Sequence, residues 1–189
     1  FGAITMRHFT DDQLIAQVRA TLAEQPEGKV FAFACNWCSY AGGDMAGISR
    51  IQYPATNRVV RTMCSARVSE EMVLEAFRCG APVVLVSGCH YADCHYINAN
   101  RQTVKRVNRL WNKLEKAGVR PERLQLEWIS AAEGQKFAKV MRELEEMRKQ
   151  VTEAEVKQTM EILEQEEAKA REKAAKKAEA AKAENLQTA

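Results

Sequence analysis

The run APVVLVSGC, residues 81–89, constrains this chain more than any other stretch. It is an almost unbroken apolar run, rich in valine, with glycine near its end. A strand of this kind is buried on both faces, as happens in parallel sheets covered by helices on each side. Three more runs read as strands: KVFAFAC at 29–35, RVVRTMC at 58–64 and RLQLEWIS at 123–130. Between and after them, helical spacing covers about 43–51, 69–79 and 98–117. Gly118 and Pro121 close the last of these, and Ser130 with Glu133 caps a fourth helix. Strand and helix in alternation predict an α/β fold with an open parallel sheet, flavodoxin-like at its simplest.

Three regions separate along the 189 residues. Residues 1–28 form an N-terminal linker or strand followed by a helix. There Thr10 and Gln13 make a capping box, Leu14, Ile15, Val18 and Leu22 share an apolar face, and EQPEGK ends the segment. Residues 29–150 hold the strand and helix alternation. Residues 151–189 shift to Ala, Glu and Lys, and Val156, Met160 and Leu163 are the last large apolar residues before AKAREKAAKKAEAAKAE. This tail is expected to be a charged helix or disordered, with almost nothing to bury.

No apolar run reaches the length of a membrane span, and the first residues lack the pattern of a secretory signal, so the expectation is a cytoplasmic chain without membrane insertion. A net charge of +3 with interleaved signs argues against nucleic acid as the partner. No hydrolytic triad or paired acid–base carboxylates stand out, and AGGDMAG does not match a dinucleotide fingerprint, so no catalytic residue is assigned.

The six cysteines carry the chemistry. Cys35, Cys64 and Cys89 each fall at the C-terminal end of an expected strand, where doubly wound sheets bind ligands. Cys38 and Cys94 lie one short loop beyond Cys35 and Cys89. Five thiols therefore converge on one edge of the sheet, a soft donor set suited to an iron–sulfur cluster, zinc or copper(I). A 2Fe–2S cluster uses four thiolates and would leave one of the five over. Glycines 42 and 43 are expected in a loop whose N–H groups approach sulfur. A thioredoxin-like Cys35/Cys38 dithiol and a zinc-stabilised module, recruiting His90 or His95, are the competing readings. Cys79, at a helix end, reads as a small core residue. Trp37 reads as a shield beside the site, and His90 and His95 as loop residues bonding local carbonyls. Trp111 and Trp128 read as packing residues, and Arg50, Arg58, Arg61 and Arg67 as positive charge flanking the cysteine loops.

The segments CNWCSYAGGDMAGISRIQYP, RTMCSARV, VSGCHYADCHYINAN and RLQLEWISAAEG, in this order, resemble the delta subunit of methyl-viologen-reducing hydrogenase. The resemblance covers about residues 29–145. It implies a small flavodoxin-like module holding one 2Fe–2S cluster, with ligands drawn from Cys35, Cys38, Cys64, Cys89 and Cys94. It implies electron relay to a flavoprotein like the heterodisulfide reductase A subunit, from a hydrogenase, formate dehydrogenase or quinone-linked oxidoreductase component. FAD and 4Fe–4S clusters would then belong to the partner or to an upstream domain, and the chain could sit at the periphery of a membrane complex. GAITMRHFTDDQLIAQV is similar to the stretch that follows the last ferredoxin-type motif in the A subunit of heterodisulfide reductase. That likeness implies the C-terminal piece of a fusion, as in the B subunit of the quinone-interacting membrane-bound oxidoreductase complex, with Met6 as a start the competing explanation.

Overall fold

The computed structural model describes residues 6–187, with side chains up to residue 176. The linker or strand expected at the N-terminus falls partly on residues 1–5, outside the described residues. Four strands form one sheet: β1 (Val30–Cys35), β2 (Asn57–Thr62), β3 (Val83–Gly88) and β4 (Leu124–Trp128). All neighbours are parallel and the order is β2-β1-β3-β4. Six α-helices pack around it: α1 (Asp11–Leu22), α2 (Ser39–Ile48), α3 (Glu70–Arg78), α4 (Ala99–Lys116), α5 (Gly134–Gln150) and α6 (Glu153–Gln187). This is the flavodoxin-like α/β architecture the strand pattern implied.

The alternation of side chains along β1 divides the core into two layers. Phe31 and Phe33 face α1, α3, α4 and the start of α6, among Leu14, Val18, Phe77, Val107, Leu110 and Leu163. Val30 and Ala32 face the other way, toward Ala46 of α2 and Phe137, Val140 and Met141 of α5. Both faces of β1 and β3 are sealed from water, and this explains why their sequences carry no polar alternation.

Local rules act where the sequence placed them. Thr10 Oγ1 accepts from the Gln13 N–H at 3.3 Å, and the Gln13 side chain accepts from the Thr10 N–H at 3.2 Å, closing the capping box of α1. Gly118, at φ +80°, ends α4 in the left-handed region that favours glycine. Three expectations need correction. First, α2 begins at Ser39, so Gly42 and Gly43 sit inside a helix rather than a loop. A Cβ on Gly42 would lie 2.9 Å from the Ser130 carbonyl oxygen, and one on Gly43 3.0 Å from the Phe137 ring; the glycines permit close helix packing. Second, Glu133 rather than Ser130 occupies the cap position of α5, and its Oε2 accepts the Ser130 N–H at 2.7 Å.

Third, the first turns of the charged tail are not idle. Val156, Thr159 and Leu163 of α6 are buried, on the side of the helix that packs against α3. Arg123, fully buried, reaches them: its Nη1 donates to Thr159 Oγ1 at 2.5 Å and lies 3.6 Å from Glu155. Its Nε and Nη2 donate to the carbonyls of Pro82 and Ala81 at 2.7 and 3.1 Å, so a buried cation is met by oxygen on several sides. Composition alone hid this contact because three buried residues every third or fourth position are diluted by their charged neighbours. No described helix is long and apolar enough to cross a membrane.

Candidate metal centre

The chain leaves β1 toward β2 on one side and returns by β3 on the other, so the sheet order reverses between β1 and β3. A crevice opens at such a point, beyond the C-terminal strand ends. Cys35 is the last residue of β1, Cys89 follows the last residue of β3, and Cys64 comes two residues after β2. Parallel register sets them side by side: Cys35 pairs with Thr62, and Ala34 with Ser87. Gly88 permits the tight seat of Cys89, since a Cβ there would lie 2.6 Å from Ser65 Oγ and 2.8 Å from the Trp128 ring.

The thiols meet as the strand ends require. The sulfurs of Cys35, Cys38 and Cys89 all lie within 4.8 Å of one another and all three residues are buried. Cys35 Sγ and Cys89 Sγ are 3.9 Å apart. Cys64 lies outside this group of three but close enough to Cys35 for the two thiols to shift each other's ionisation. Cys94, partly buried, packs against the cluster of three from its own loop. Cys79 lies outside, at the C-terminal end of α3, 4.0 Å from Glu75 Oε1. All five sequence-assigned cysteines thus gather at one edge, three closely and two beside them.

The surroundings favour negative sulfur at Cys64 and Cys89. Hydrogen bonds with Cys38, Cys64 and Cys89, together with burial, push the Cys35 thiol far above its ordinary range. The same contacts act oppositely on the acceptors: hydrogen bonds from Cys35 and then Cys38 pull Cys89 far down, and the His95 N–H adds to this. The hydrogen bond with Cys35 lowers Cys64 to about 7, with the Ala66 N–H donating to its sulfur at 3.4 Å. Cys38 caps the N-terminus of α2, where the helix dipole favours negative charge. Its contact with Cys35 acts in the same direction, but the neighbouring Cys89 thiol and burial outweigh both and push Cys38 up to about 12. Backbone N–H groups on sulfur and a helix N-terminus are the means by which proteins stabilise thiolate–metal centres.

Aromatic rings close the mouth. Trp37, between Cys35 and Cys38, stacks on His95, next to Cys94, with centroids 3.9 Å apart and planes 10° from parallel. The stack ties the two cysteine loops together, and Trp37 is still 43% exposed, so it covers the site from outside. The histidines therefore differ from expectation. His95 is half of this stack, and His90 Nε2 meets Glu133 Oε2 at 2.7 Å instead of a local carbonyl. The arginines differ too. Arg61 lies over the rings of Phe9 and Tyr40, and Arg67 pairs with Asp11, which ties α1 to the module. Arg58 sits at the opposite end of β2 from Cys64, and Arg50 follows the far end of α2. Trp111 Nε1 donates to the Leu124 carbonyl at 2.8 Å, a packing role as expected.

Sequence reasoning passed over Asn100. It is 1% exposed, and its Nδ2 donates to the carbonyls of Cys89 and His90 at 3.2 and 3.1 Å, fixing the start of the Cys89–Cys94 loop. Beside it Ser65 Oγ and Thr103 Oγ1 hydrogen-bond at 2.8 Å, joining α4 to the Cys64 loop. The available signal was their place on the buried face of α4: Asn100, Thr103, Val107, Leu110 and Leu114 form one stripe, and two of its members are polar.

Comparison with known proteins finds a matching family and several relatives. The family described as methyl-viologen-reducing hydrogenase, delta subunit, matches residues 30–152. The A subunit of ferredoxin:CoB-CoM heterodisulfide reductase from Methanosarcina mazei is 49% identical over 150 residues, 77% of this chain and 19% of that protein. The chain thus spans about a fifth of that much longer relative. The D iron-sulfur subunit of F420-non-reducing hydrogenase from Archaeoglobus profundus is 47% identical over 124 residues, 66% of this chain and 90% of that protein. The D iron-sulfur subunit of the vhc F420-non-reducing hydrogenase from Methanococcus voltae is 45% identical over 123 residues, 65% of this chain and 85% of that protein. The chain belongs to the methyl-viologen-reducing hydrogenase delta-subunit family.

Proposed function

We propose that the chain is an electron-transfer module whose cysteines hold an iron–sulfur cluster of the 2Fe–2S type. The observation that carries this reading is the convergence of Cys35, Cys38 and Cys89, from two strand ends and a helix cap, with mutual sulfur distances within 4.8 Å and all three residues buried. A Cys35/Cys38 dithiol would need no third buried thiol, yet Cys89 stands 3.9 Å from Cys35. A structural zinc is a weaker reading because two apolar layers already support the sheet without a metal. The donor set fits the cluster: soft thiolates, backbone N–H groups directed at sulfur, and little water.

When bound, such a cluster supplies a site that gains and loses one electron. The chain's own residues do the rest. Cys35, Cys38 and Cys89 supply three thiolates, and Cys64 or Cys94 the fourth. The Ala66 and His95 N–H groups favour the negative sulfurs. Asn100 fixes the loop that carries Cys89 and Cys94, and the Trp37–His95 stack limits water at the mouth. Catalysis on a substrate is assigned to partner subunits.

The named relatives support a place between two redox proteins. One is a flavoprotein like the heterodisulfide reductase A subunit, fused upstream or separate, that carries FAD and 4Fe–4S clusters. The other is a hydrogenase, formate dehydrogenase or quinone-linked oxidoreductase component. The module works in the cytoplasm or at the periphery of a membrane complex. Single serine substitutions at the five cysteines, read by visible and electron paramagnetic resonance spectra of anaerobically purified protein, test the site. Four should lose or distort the cluster and one should not. Retention of an unchanged spectrum in Cys35→Ser, Cys38→Ser and Cys89→Ser alike would remove the proposal.

A further inference from the structure

The mouth of the cysteine site continues into a surface whose composition is unusual for an exposed face. Beyond Cys94, His95 stacks on Trp37 and meets Tyr96 edge-on at 4.9 Å. Next comes Ile97, 86% exposed and held at φ +65°. A β-branched residue in the left-handed region is a strained outlier, and Ile97 is the one such residue at positive φ among those described. Its side chain recovers nothing by burial within the chain. Strain without internal benefit points to an external one.

Two residues later α4 begins, and its exposed face is basic. Between Cys89 and Leu114 there is one acid, Asp93, against five lysines and arginines. Arg106 is engaged with the carbonyls of Ala66 and Val68, and Lys113 pairs with Glu70. Arg101 and Lys105 lie one turn apart on the outer side of α4 and make no ion pair among the described residues. Arg101 lies in the first turn of α4, where the helix dipole disfavours a cation and no acid compensates it. The charge is misplaced for the helix and correctly placed beside the site.

We propose that Trp37, Tyr96, Ile97, Arg101 and Lys105 form the docking surface through which this module receives a redox protein with an acidic face around an apolar spot. The inference rests on the electron-transfer reading and adds to it the surface and the charge of the partner. An exposed, strained apolar anchor beside two unpaired cations suits a protein interface, with its apolar core and polar rim, whereas nucleic acid would be met by cations around stackable rings without a protruding isoleucine. Opposite charges would steer the encounter and place the partner's centre against the Trp37–His95 stack.

The test uses the full chain with its metal content verified, and two probe proteins of opposite charge: an acidic flavodoxin and basic cytochrome c. Binding is measured by sedimentation over a range of salt. Flavodoxin should bind at low salt, weaken as salt rises, and bind Arg101→Glu/Lys105→Glu about ten-fold or more weakly. Cytochrome c should show the reverse preference. Ile97→Gly should weaken flavodoxin binding while leaving thermal stability equal or higher, because the strain is relieved. Indifference of both probes to the charge reversal would overturn the proposal, as would a clear loss of stability in Ile97→Gly. Preferential, salt-sensitive capture of a single-stranded oligonucleotide by the same surface would overturn it too. A loaded, redox-active chain without charge preference refutes the docking surface alone, whereas a chain with no iron or sulfide refutes the reading beneath it.

Discussion

Removing α6 should damage the module, and the place of the cut decides how much. A chain ending at Thr152 loses the burial of Val156 and Leu163, each worth about 1.5–3 kcal/mol. It also strips Thr159 and Glu155 from the buried Arg123, whose guanidinium must then find water. The truncation spares the entropy of ordering several helical turns, which offsets part of this loss. A net destabilisation of about 2–4 kcal/mol remains, or a melting temperature lowered by roughly 5–15 °C for a chain of this length. A chain ending at Ala168 keeps all three buried residues and the Arg78–Glu167 pair at 3.1 Å, and should melt with the full chain. Thermal unfolding followed by circular dichroism under anaerobic conditions compares the three. If the chain ending at Thr152 melts within about 2 °C of the full one, the assignment of α6 to the core is wrong.

Other changes have equally definite outcomes. Cys79→Ser should leave metal content unchanged and cost about 1 kcal/mol in urea unfolding, since the thiol lies outside the site. Gly88→Ala should cost about 1–3 kcal/mol and alter the visible spectrum of the loaded chain, because the new methyl meets Ser65 and Trp128 behind Cys89. The Arg148 hydrogen bond, against the cost of burial and aided by Thr56, holds Glu145 below the usual carboxylate range. Its contribution is therefore complete above the unfolded value, about 4.3, and is lost as pH falls through the lower folded value. Urea midpoints measured from about pH 6 to about pH 3 should fall further for the unaltered chain than for Glu145→Gln.

The two inner strands, β1 and β3, were legible because burial on both faces leaves an unmistakable apolar run, as in Val83–Gly88. The same runs placed Cys35, Cys64 and Cys89 at strand ends, and parallel register did the rest. What the sequence concealed follows from packing. Glycines 42 and 43 read as a loop because helix propensity disfavours them; they lie in a helix, and glycine is needed there because Phe137 and the Ser130 carbonyl come too close for a side chain. The tail read as solvated because its buried face is one residue in three or four. His90 and His95 could not be placed in advance, since their partners, Glu133 and Trp37, are distant in sequence and brought near only by the fold. Asn100 shows the converse: a polar residue on an apolar helical stripe was a visible clue to a fixed loop.

Whether the gathered thiols hold a 2Fe–2S cluster is tested most directly by iron and acid-labile sulfide per chain, measured on anaerobically purified protein beside a one-electron titration. About two irons, two sulfides and one electron per chain are expected. Stoichiometric zinc without sulfide, or a metal-free chain that takes up two electrons through a reversible Cys35–Cys38 disulfide, would contradict it.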